Sequence, residues 1–233
     1  RDIMRNHTAT HLLHAELHAV LGKHARQAGS LVAPDRLRFD FTHPEGLTMR
    51  QIEQIEAGVN RAIYADLHLN IRHKQLAQAM EEGAMALFGE KYADTVRTIT
   101  IGDEEPFSYE LCGGTHVERT SDIGVFIIIS EGSAAAGVRR IEAVTGREAY
   151  ALIQRRFRVL KQAAEMLNSA VEEAPEKVQN LLSNLSEVEK ETMRLRQRLV
   201  AAEFEGVMAG TTEFNGVHVL TSILTDADAD SLR

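Results

Sequence analysis

Apolar and polar positions recur with two different periods over residues 1–147. In HTATHLLHAELHAVLG, leucine and valine return every three or four residues, which predicts a helix that ends at Gly22. A capping box, with Thr48 three residues before Gln51, predicts a second helix through about Asp66. Alternation of apolar and polar residues predicts the strands. These are RLRFDFTH, LHLNIRH, Thr95 to Ile101, Phe107 to Leu111, Gly124 to Ser130 and Val138 to Val144.

The order of these elements indicates the fold class. Short strands outnumber helices, and strands and helices do not alternate regularly, as a doubly wound parallel sheet would require. The longest apolar run, VFIIIS, has the length of a strand and is far shorter than the roughly 20 residues that cross a membrane. Residues 1–147 are therefore predicted to form an α+β domain with an antiparallel sheet and packed helices, and no membrane contact is expected.

After Gly146 the apolar residues follow steps of four and three, as in the seam of a coiled coil. One seam runs from residue 153 to 171, and a second runs from 178 to 202 with a polar interruption at Thr192. Pro175 between them would break a helix interior, so an antiparallel helical hairpin is predicted. The predicted domains are residues 1–147, a helical linker over 148–206, and the incomplete start of another domain over 207–233. Within residues 207–233, GVHVLTSIL is predicted as a strand and DADADSLR as the beginning of a helix.

Composition narrows the class of protein. Apolar residues make up 44% and charged residues 26%, as in ordinary globular proteins. The single cysteine excludes an internal disulfide and fits a reducing compartment, so a cytoplasmic protein is expected. The chain begins RDIMRNHTAT, which contains neither a signal-peptide core nor an initiator Met, so we expect it to be a piece of a longer protein.

Charge is unevenly distributed along the chain. The net charge of −8 argues against general coating of nucleic acid, although a local basic patch could still bind phosphates. Such a cluster lies between Val138 and Lys161, where seven cations accompany two anions. The alternative interpretation is a solvated helix face, and charge alone does not decide between the two.

Two histidines and, about a hundred residues later, a cysteine and a histidine have the same spacing. His7 and His11 lie four residues apart on the first predicted helix, so both imidazoles project from one face. Cys112 and His116 repeat the spacing in ELCGGTH, where two glycines permit a tight turn. Three nitrogens and one sulfur form a tetrahedral ligand set that suits Zn²⁺.

Each half of this motif also has an ordinary structural interpretation. His14 and His18 continue the same stripe, so the helix could simply carry a polar histidine face. A free cysteine such as Cys112 is usually a small buried hydrophobe, and a loop histidine often bonds backbone. The matched spacing favours a metal. Four protein ligands usually mark a closed, structural zinc, whereas a catalytic zinc keeps a position for water, and spacing leaves both possibilities open.

Seven motifs occur in one order along the chain: RNHTATHLLH, QAGSLV, RFDFTH, GAMALFGEKY, ELCGGTH, DIG and GVRRIEAVTG. In that combination residues 1–147 resemble the editing domain of alanyl-tRNA synthetase. The remainder is similar to the helical linker and the start of the C-terminal domain of that enzyme. The threonyl-tRNA synthetase editing domain shares the metal half-motifs, but CGGTH and GVRRIEAVTG favour the alanyl family. Free-standing alanyl-tRNA editing proteins are the nearest rival, and the missing initiator Met stands against them.

The resemblance implies a deacylase that hydrolyses mischarged Ser-tRNA(Ala) and Gly-tRNA(Ala). Its partner would be that tRNA, and Zn²⁺ bound by the four ligands would orient the ester and a water beside the 3′-terminal adenosine. The ATP-dependent joining of alanine to tRNA(Ala) would belong to an N-terminal region of the parent enzyme, since no ATP-binding motif is visible here.

The resemblance also assigns Gln27, in RQAGSLV, to the amino-acid pocket. Thr8 and Thr10, beside the zinc histidines, are further candidates for the catalytic site. A buried partner for the serine hydroxyl would be left unpaired by alanine, at a cost of about 1–3 kcal/mol, which would let this second site reject correctly charged tRNA. Without the family, Gln27 is more simply a solvent-facing polar residue. How glycine is recognised does not follow from this reasoning.

Three further roles are predicted. Cys112 is a candidate nucleophile, although a metal-bound thiolate is a poor one. Arg139 and Arg140, in GVRRIEAVTG, are predicted to contact tRNA phosphates or the acceptor end. The heptad seam could pair within the chain or support self-association.

Two other classes of protein compete with the deacylase. One is a non-catalytic tRNA-binding module with a structural zinc, and the other is a zinc hydrolase of small molecules. The latter is weaker because no Glu follows the first histidine, as it does in H-E-x-x-H.

Overall fold

The computed structural model describes residues 1–86, 92–208 and 212–219. Its contacts divide the chain into two compact units, Arg1–Arg156 and Phe157–Arg233. The elements of the first unit are α1 (Asp2–Leu21), β1 (Gln27–Val32), β2 (Leu37–Thr42), α2 (Met49–Tyr64), β3 (Leu69–Gln75), α3 (Leu76–Glu81), β4 (Thr95–Ile101), β5 (Ser108–Leu111), a 3-10 turn (Thr120–Ile123), β6 (Phe126–Ala135) and β7 (Val138–Thr145). Helix α4 (Gly146–Met166) begins in this unit and continues into the second.

Two antiparallel sheets form the first unit. One has four strands in the order β1-β2-β7-β6, and the other has three in the order β3-β4-β5. The predicted α+β class with antiparallel strands and packed helices is therefore confirmed. The three-stranded sheet matters most for the site, because the chain leaves β5 directly into the segment that contains Cys112.

Helix α1 lies in the core of this unit. It contacts α2, the 3-10 turn and strands of both sheets, and its residues Ala9, Leu12, Leu13 and Leu17 have no solvent exposure. Polar residues of the same helix are buried as well. They are Asn6, Thr8, Thr10, His11 and His14. Buried polar groups need partners, and the surrounding strands and loops supply them for Asn6, Thr8 and Nδ1 of His11.

Side chains of α2 cover part of the edge strand β6. The Asn60 amide donates to the carbonyl of Phe126 (2.8 Å) and accepts from its N–H (3.0 Å). The Glu56 carboxylate accepts from the N–H of Ile128 at 2.7 Å. These bonds satisfy backbone groups that a sheet edge otherwise leaves open, and they tie the helix to the sheet.

Most element predictions agree with the structure, and the differences have physical causes. Helix α1 ends at Gly22, and both bonds of the Thr48–Gln51 capping box are formed. The pattern predicted no strand in QAGSLV, where β1 forms by pairing with β2. Strand β6 extends five residues beyond the predicted Ser130 because it stays paired with β7 as far as Ala135, through two irregularities in register. The predicted motif GAMALFGEKY lies partly outside the described residues.

The second unit is largely helical. Helix α5 (Ala174–Met208) has Pro175 in its first turn, where proline is tolerated, and strands β8 (Thr212–Phe214) and β9 (Val217–Val219) form a hairpin. The α5 seam from Val178 to Leu199 retains 43–61% exposure at its apolar positions. Pairing of the helices as a hairpin, and the domain bounds, stay predictions. The predicted helix start at DADADSLR and the end of GVHVLTSIL lie outside the described residues. No helix within the described ranges combines the length and apolarity needed to cross a membrane.

Replacing Asn60 by alanine should lower the free energy of unfolding by about 1–3 kcal/mol, because it leaves the N–H and carbonyl of Phe126 unpaired. Urea unfolding followed by circular dichroism measures this change. Gln54→Ala, an exposed position on the same helix, is the control and should shift the midpoint little. Equal stability of both variants would contradict the edge-covering role.

Candidate metal centre

The four predicted metal ligands converge in the structure. His7 and His11 lie one turn apart on α1, and Cys112 and His116 lie in the loop that follows β5. Their ligating atoms all lie within 4.8 Å of one another. The Cys112 Sγ is 3.4 Å from Nε2 of His7 and 3.4 Å from Nε2 of His116. Segments about a hundred residues apart thus form one cluster.

The environment of His11 tests whether this cluster suits a metal. Nε2 of His11 is buried and has no hydrogen-bond partner among the described residues. Leaving a buried polar atom unpaired costs free energy, and a cation among the four side chains would supply the missing interaction. Three imidazole nitrogens and a thiolate are ligands that divalent transition metals accept. The residues therefore fit a metal ion.

Glu110 supports the cluster from behind. Its buried carboxylate lies 2.9 Å from Nδ1 of His11 and accepts a hydrogen bond from Ser108 Oγ, also at 2.9 Å. Burial would raise the pKa of Glu110, but His11 and His14 outweigh it and hold the pKa well below its ordinary value. A carboxylate that fixes the orientation of a ligating histidine is a common feature of metal sites. At 3.4 Å, His14 makes an electrostatic contact without a well-formed hydrogen bond.

Thr8 orients the fourth ligand. Its hydroxyl is fully buried, lies 3.2 Å from Nδ1 of His116 and accepts from the N–H of Val117 at 3.2 Å. With Nδ1 engaged, Nε2 of His116 faces the sulfur of Cys112. Thr10 donates to the main-chain carbonyl of His7 at 2.6 Å. Both threonines therefore support ligand residues.

The turn that contains Cys112 is held by β4. The Arg97 guanidinium donates to the carbonyls of Cys112 (2.8 Å) and Gly114 (2.7 Å). Gly114 packs so closely on the first ligand that a Cβ there would lie 1.9 Å from Cε1 of His7. By contrast, a Cβ at Gly113 would meet nothing within 4 Å. Only Gly114 is thus needed for the close approach of turn and helix.

Burial and mutual contacts set the protonation of the cluster. Burial disfavours the thiolate, but the three surrounding imidazoles outweigh it and lower the pKa of the Cys112 thiol to about 3. Burial also disfavours a charged His11, yet Glu110 and Cys112 raise the pKa of this imidazole to about 10. Burial lowers the pKa of His116 to about 4, despite the opposing thiolate. In the metal-free cluster a protonated His11 lies between two anions, the Glu110 carboxylate and the Cys112 thiolate, and a metal bound to its ring would displace a proton.

Gln27 lies apart from the four ligands, at the start of β1. It is half-buried, and its amide donates to Ser30 Oγ at 3.3 Å. It lines two cavities, of about 280 Å³ and about 700 Å³, and none of the four ligands lines either one. The smaller cavity is also lined by His14 and His18, on the helix that carries two of the ligands. Gln27 thus borders a pocket adjoining the metal-bearing helix.

Arg139 and Arg140 are paired within the chain. Arg139 binds the Glu131 carboxylate through two nitrogens at 2.6 and 3.0 Å. Arg140 binds Asp40, its cross-strand neighbour in β2, at 2.7 and 2.8 Å. Their contact with tRNA stays a prediction, and RNA phosphates would have to compete with these carboxylates.

Sequence reasoning missed Glu110 and Arg97. A signal for Glu110 existed, because the period of two in a strand places Ser108, Glu110 and Cys112 on one face. Arg97 gives no comparable signal, since it binds main-chain carbonyls 15 and 17 residues further along the chain.

The amino-acid sequence is similar to those of known proteins. Residues 96–142 match the family model of the threonyl and alanyl tRNA synthetase second additional domain. The whole chain is 46% identical over 233 residues to the alanine–tRNA ligase of Listeria monocytogenes serotype 4b (strain F2365) and covers 26% of it. It is 50% identical over 238 residues to an alanine–tRNA ligase of Thermus thermophilus, covering 27%. Over its whole length the chain is thus similar to alanine–tRNA ligases, and it spans about a quarter of the length of these relatives.

Gly114→Ala should abolish stable metal binding, because the new methyl group would displace the His7 ring from the cluster. Gly113→Ala is the matched control and should bind metal as the parent protein does, since that position is open. Metal content after dialysis, measured by atomic emission, distinguishes them. Full metal occupancy in Gly114→Ala would contradict the close approach described above.

Glu110→Gln should weaken metal affinity by about 10–100-fold, as is typical when the group behind a ligating histidine is changed. A chelating dye that competes for the metal measures the dissociation constant. Glu118→Gln, at an exposed position in the loop after His116, controls for the lost charge. Unchanged affinity in Glu110→Gln would show that this carboxylate does not support the metal.

Proposed function

We propose that residues 1–147 hydrolyse the ester bond of Ser-tRNA(Ala) and Gly-tRNA(Ala), as the editing part of an alanine–tRNA ligase. The observation that carries the proposal is the convergence of His7, His11, Cys112 and His116 in a chain related over its length to such ligases. Joining alanine to tRNA(Ala) with ATP is proposed for the full-length parent. The cytoplasm is the proposed location.

Zn²⁺ is the proposed metal because three imidazoles and one thiolate match its preferred ligands. When bound, it would act as a Lewis acid that polarises the ester carbonyl and orients a water. The chain's own residues hold the ligands in place. Glu110 orients His11, Thr8 orients His116, and Arg97 fixes the turn that contains Cys112. As a metal ligand, Cys112 is proposed to bind the metal rather than attack the ester.

Selection of serine is proposed to depend on Gln27. Its amide borders a cavity adjoining the metal-bearing helix and could bond the serine hydroxyl. An alanyl group would leave such a partner unpaired, which costs about 1–3 kcal/mol and protects correctly charged tRNA. The contacts of Thr8 and Thr10 support a positioning role for both, through His116 and the main chain of His7.

A structural zinc in a tRNA-binding module is the second candidate. Four protein ligands are the usual mark of a closed zinc site, whereas catalytic sites keep one position for water. In that case the metal would only hold α1 against the Cys112 turn, and no ester would be cleaved. Self-association through the exposed α5 seam is proposed for either function.

The purified chain with bound zinc should release serine from Ser-tRNA(Ala), and Cys112→Ala should lose more than about 100-fold in rate, because a direct ligand matters more than its supporting residues. Release of labelled serine from the tRNA measures the rate. His73→Ala, at an exposed strand position, is the control and should keep full activity.

Two outcomes would overturn the proposal. A folded, zinc-loaded chain that binds tRNA and releases no serine would favour the structural zinc. Full activity of Cys112→Ala, or of the parent chain after complete zinc removal, would exclude a metal-dependent reaction. Circular dichroism of each variant separates loss of activity from loss of fold.

A further inference from the structure

We propose that the cavity of about 700 Å³ beside Gln27 binds backbone phosphates of the tRNA acceptor end, through Lys23 and Arg26. This inference rests on the proposed function and identifies the part of the chain that holds the nucleotide side of the substrate. The cavity is lined by Lys23, His24, Arg26, Gln27, Ala28 and Thr42. Its size is within the range of ordinary ligand sites.

The two cations face the cavity without a carboxylate partner. Among the described residues, neither Lys23 nor Arg26 forms an ion pair, whereas Arg139 and Arg140 are bound to Glu131 and Asp40. The full charge of an unpaired cation is available to a phosphate, and the counterions of that phosphate leave the RNA on binding. Lys23 and Arg26, just before β1, are therefore more available to phosphates than Arg139 and Arg140, for which the sequence predicted phosphate contacts.

The backbone that carries these cations is held in place. Gly22, at φ 106°, turns the chain out of α1, and Ala25 behind it is fully buried. The N–H of Arg26 donates to Thr42 Oγ1 at 3.1 Å, and its carbonyl accepts from the N–H of Thr42 at 2.9 Å. Because this backbone is already fixed, less conformational entropy is lost when a ligand binds.

Two histidines lie beside these cations and contact each other. Nε2 of His24 lies 2.9 Å from Nδ1 of His43, so the two rings hold each other beside the cavity. The carboxylates of Asp40 in β2 and Glu131 in β6 are each paired with an arginine. Although the chain carries a net charge of −8, Lys23 and Arg26 thus provide a pair of cations at this cavity.

The position of Gln27 links the cavity to the amino-acid pocket. Arg26 and Gln27 line both this cavity and the smaller one of about 280 Å³ that His14 and His18 border. A substrate whose amino acid lies in the smaller cavity would therefore reach the larger one with its adjoining nucleotides. An aminoacyl ester at the end of an RNA strand has this arrangement of groups.

Binding of an uncharged tRNA(Ala) acceptor-stem hairpin tests the cavity directly. The double variant Lys23→Ala/Arg26→Ala should lose two phosphate contacts, so the slope of log affinity against log salt should become shallower by about 1.4–1.8. The charge-matched control is Arg50→Ala/Arg72→Ala, which removes two exposed cations outside the cavity that likewise form no ion pair among the described residues. Fluorescence anisotropy over a series of salt concentrations gives both slopes.

A second measurement uses ester substrates with and without phosphates. Lys23→Ala, which alters the lining of the larger cavity only, should hydrolyse Ser-tRNA(Ala) roughly threefold less efficiently than the parent chain, and seryl-adenosine, which has no phosphate, at the parental rate. Lys23→Gln should behave in the same way, because it removes the charge and retains a polar group.

Failure of this inference is distinguishable from failure of the proposed function. An unchanged salt slope in Lys23→Ala/Arg26→Ala, or an equal change in the control, would overturn the phosphate site even if serine is released. A shallower slope limited to Lys23→Ala/Arg26→Ala would support the site even if the parent chain releases no serine. Equal loss on seryl-adenosine and Ser-tRNA(Ala) would also contradict it, since phosphates would not be involved.

Discussion

The buried contact between Glu110 and His11 is the interaction on which the rest of the site depends. A carboxylate removed from water needs a partner, because an unpaired buried charge is very costly. His11 is that partner, and with Nδ1 engaged its Nε2 is free to bind on the opposite side. The contact that compensates for burying Glu110 thereby fixes the orientation of the His11 ring. The same logic applies to Thr8 and His116 through a neutral contact.

The sequence predicted the ligands better than it predicted their surroundings. Equal spacing on a helix and in a glycine turn is local information, and all four ligands come together as expected. The supporting contacts depend on pairing between distant segments, which no local pattern encodes. Arg97 is such a case, because its role appears only when β4 and β5 are neighbours. Strand β1 likewise exists because β2 is available beside it, despite the glycine and serine in its sequence.

For the same reason, the sequence does not show whether adjacent cations are free to bind phosphate. GVRRIEAVTG contains two adjacent arginines, which favours a phosphate site if each guanidinium is free. In the sheet, register brings Arg140 opposite Asp40, and Glu131 of β6 reaches Arg139. Cations that look alike in a sequence thus differ in availability according to the carboxylates across from them. Among the described residues Lys23 and Arg26 form no ion pair, so their charges are available in this sense.

The contacts from α2 to β6 have a consequence for assembly. An uncovered strand edge is a template on which another polypeptide can add its own strand. Here Asn60 and Glu56 occupy the outward main-chain groups of Phe126 and Ile128. A second molecule would have to pull the helix away before it could extend the sheet at this end. The contacts from α2 thus block the formation of an intermolecular β-sheet where β6 begins.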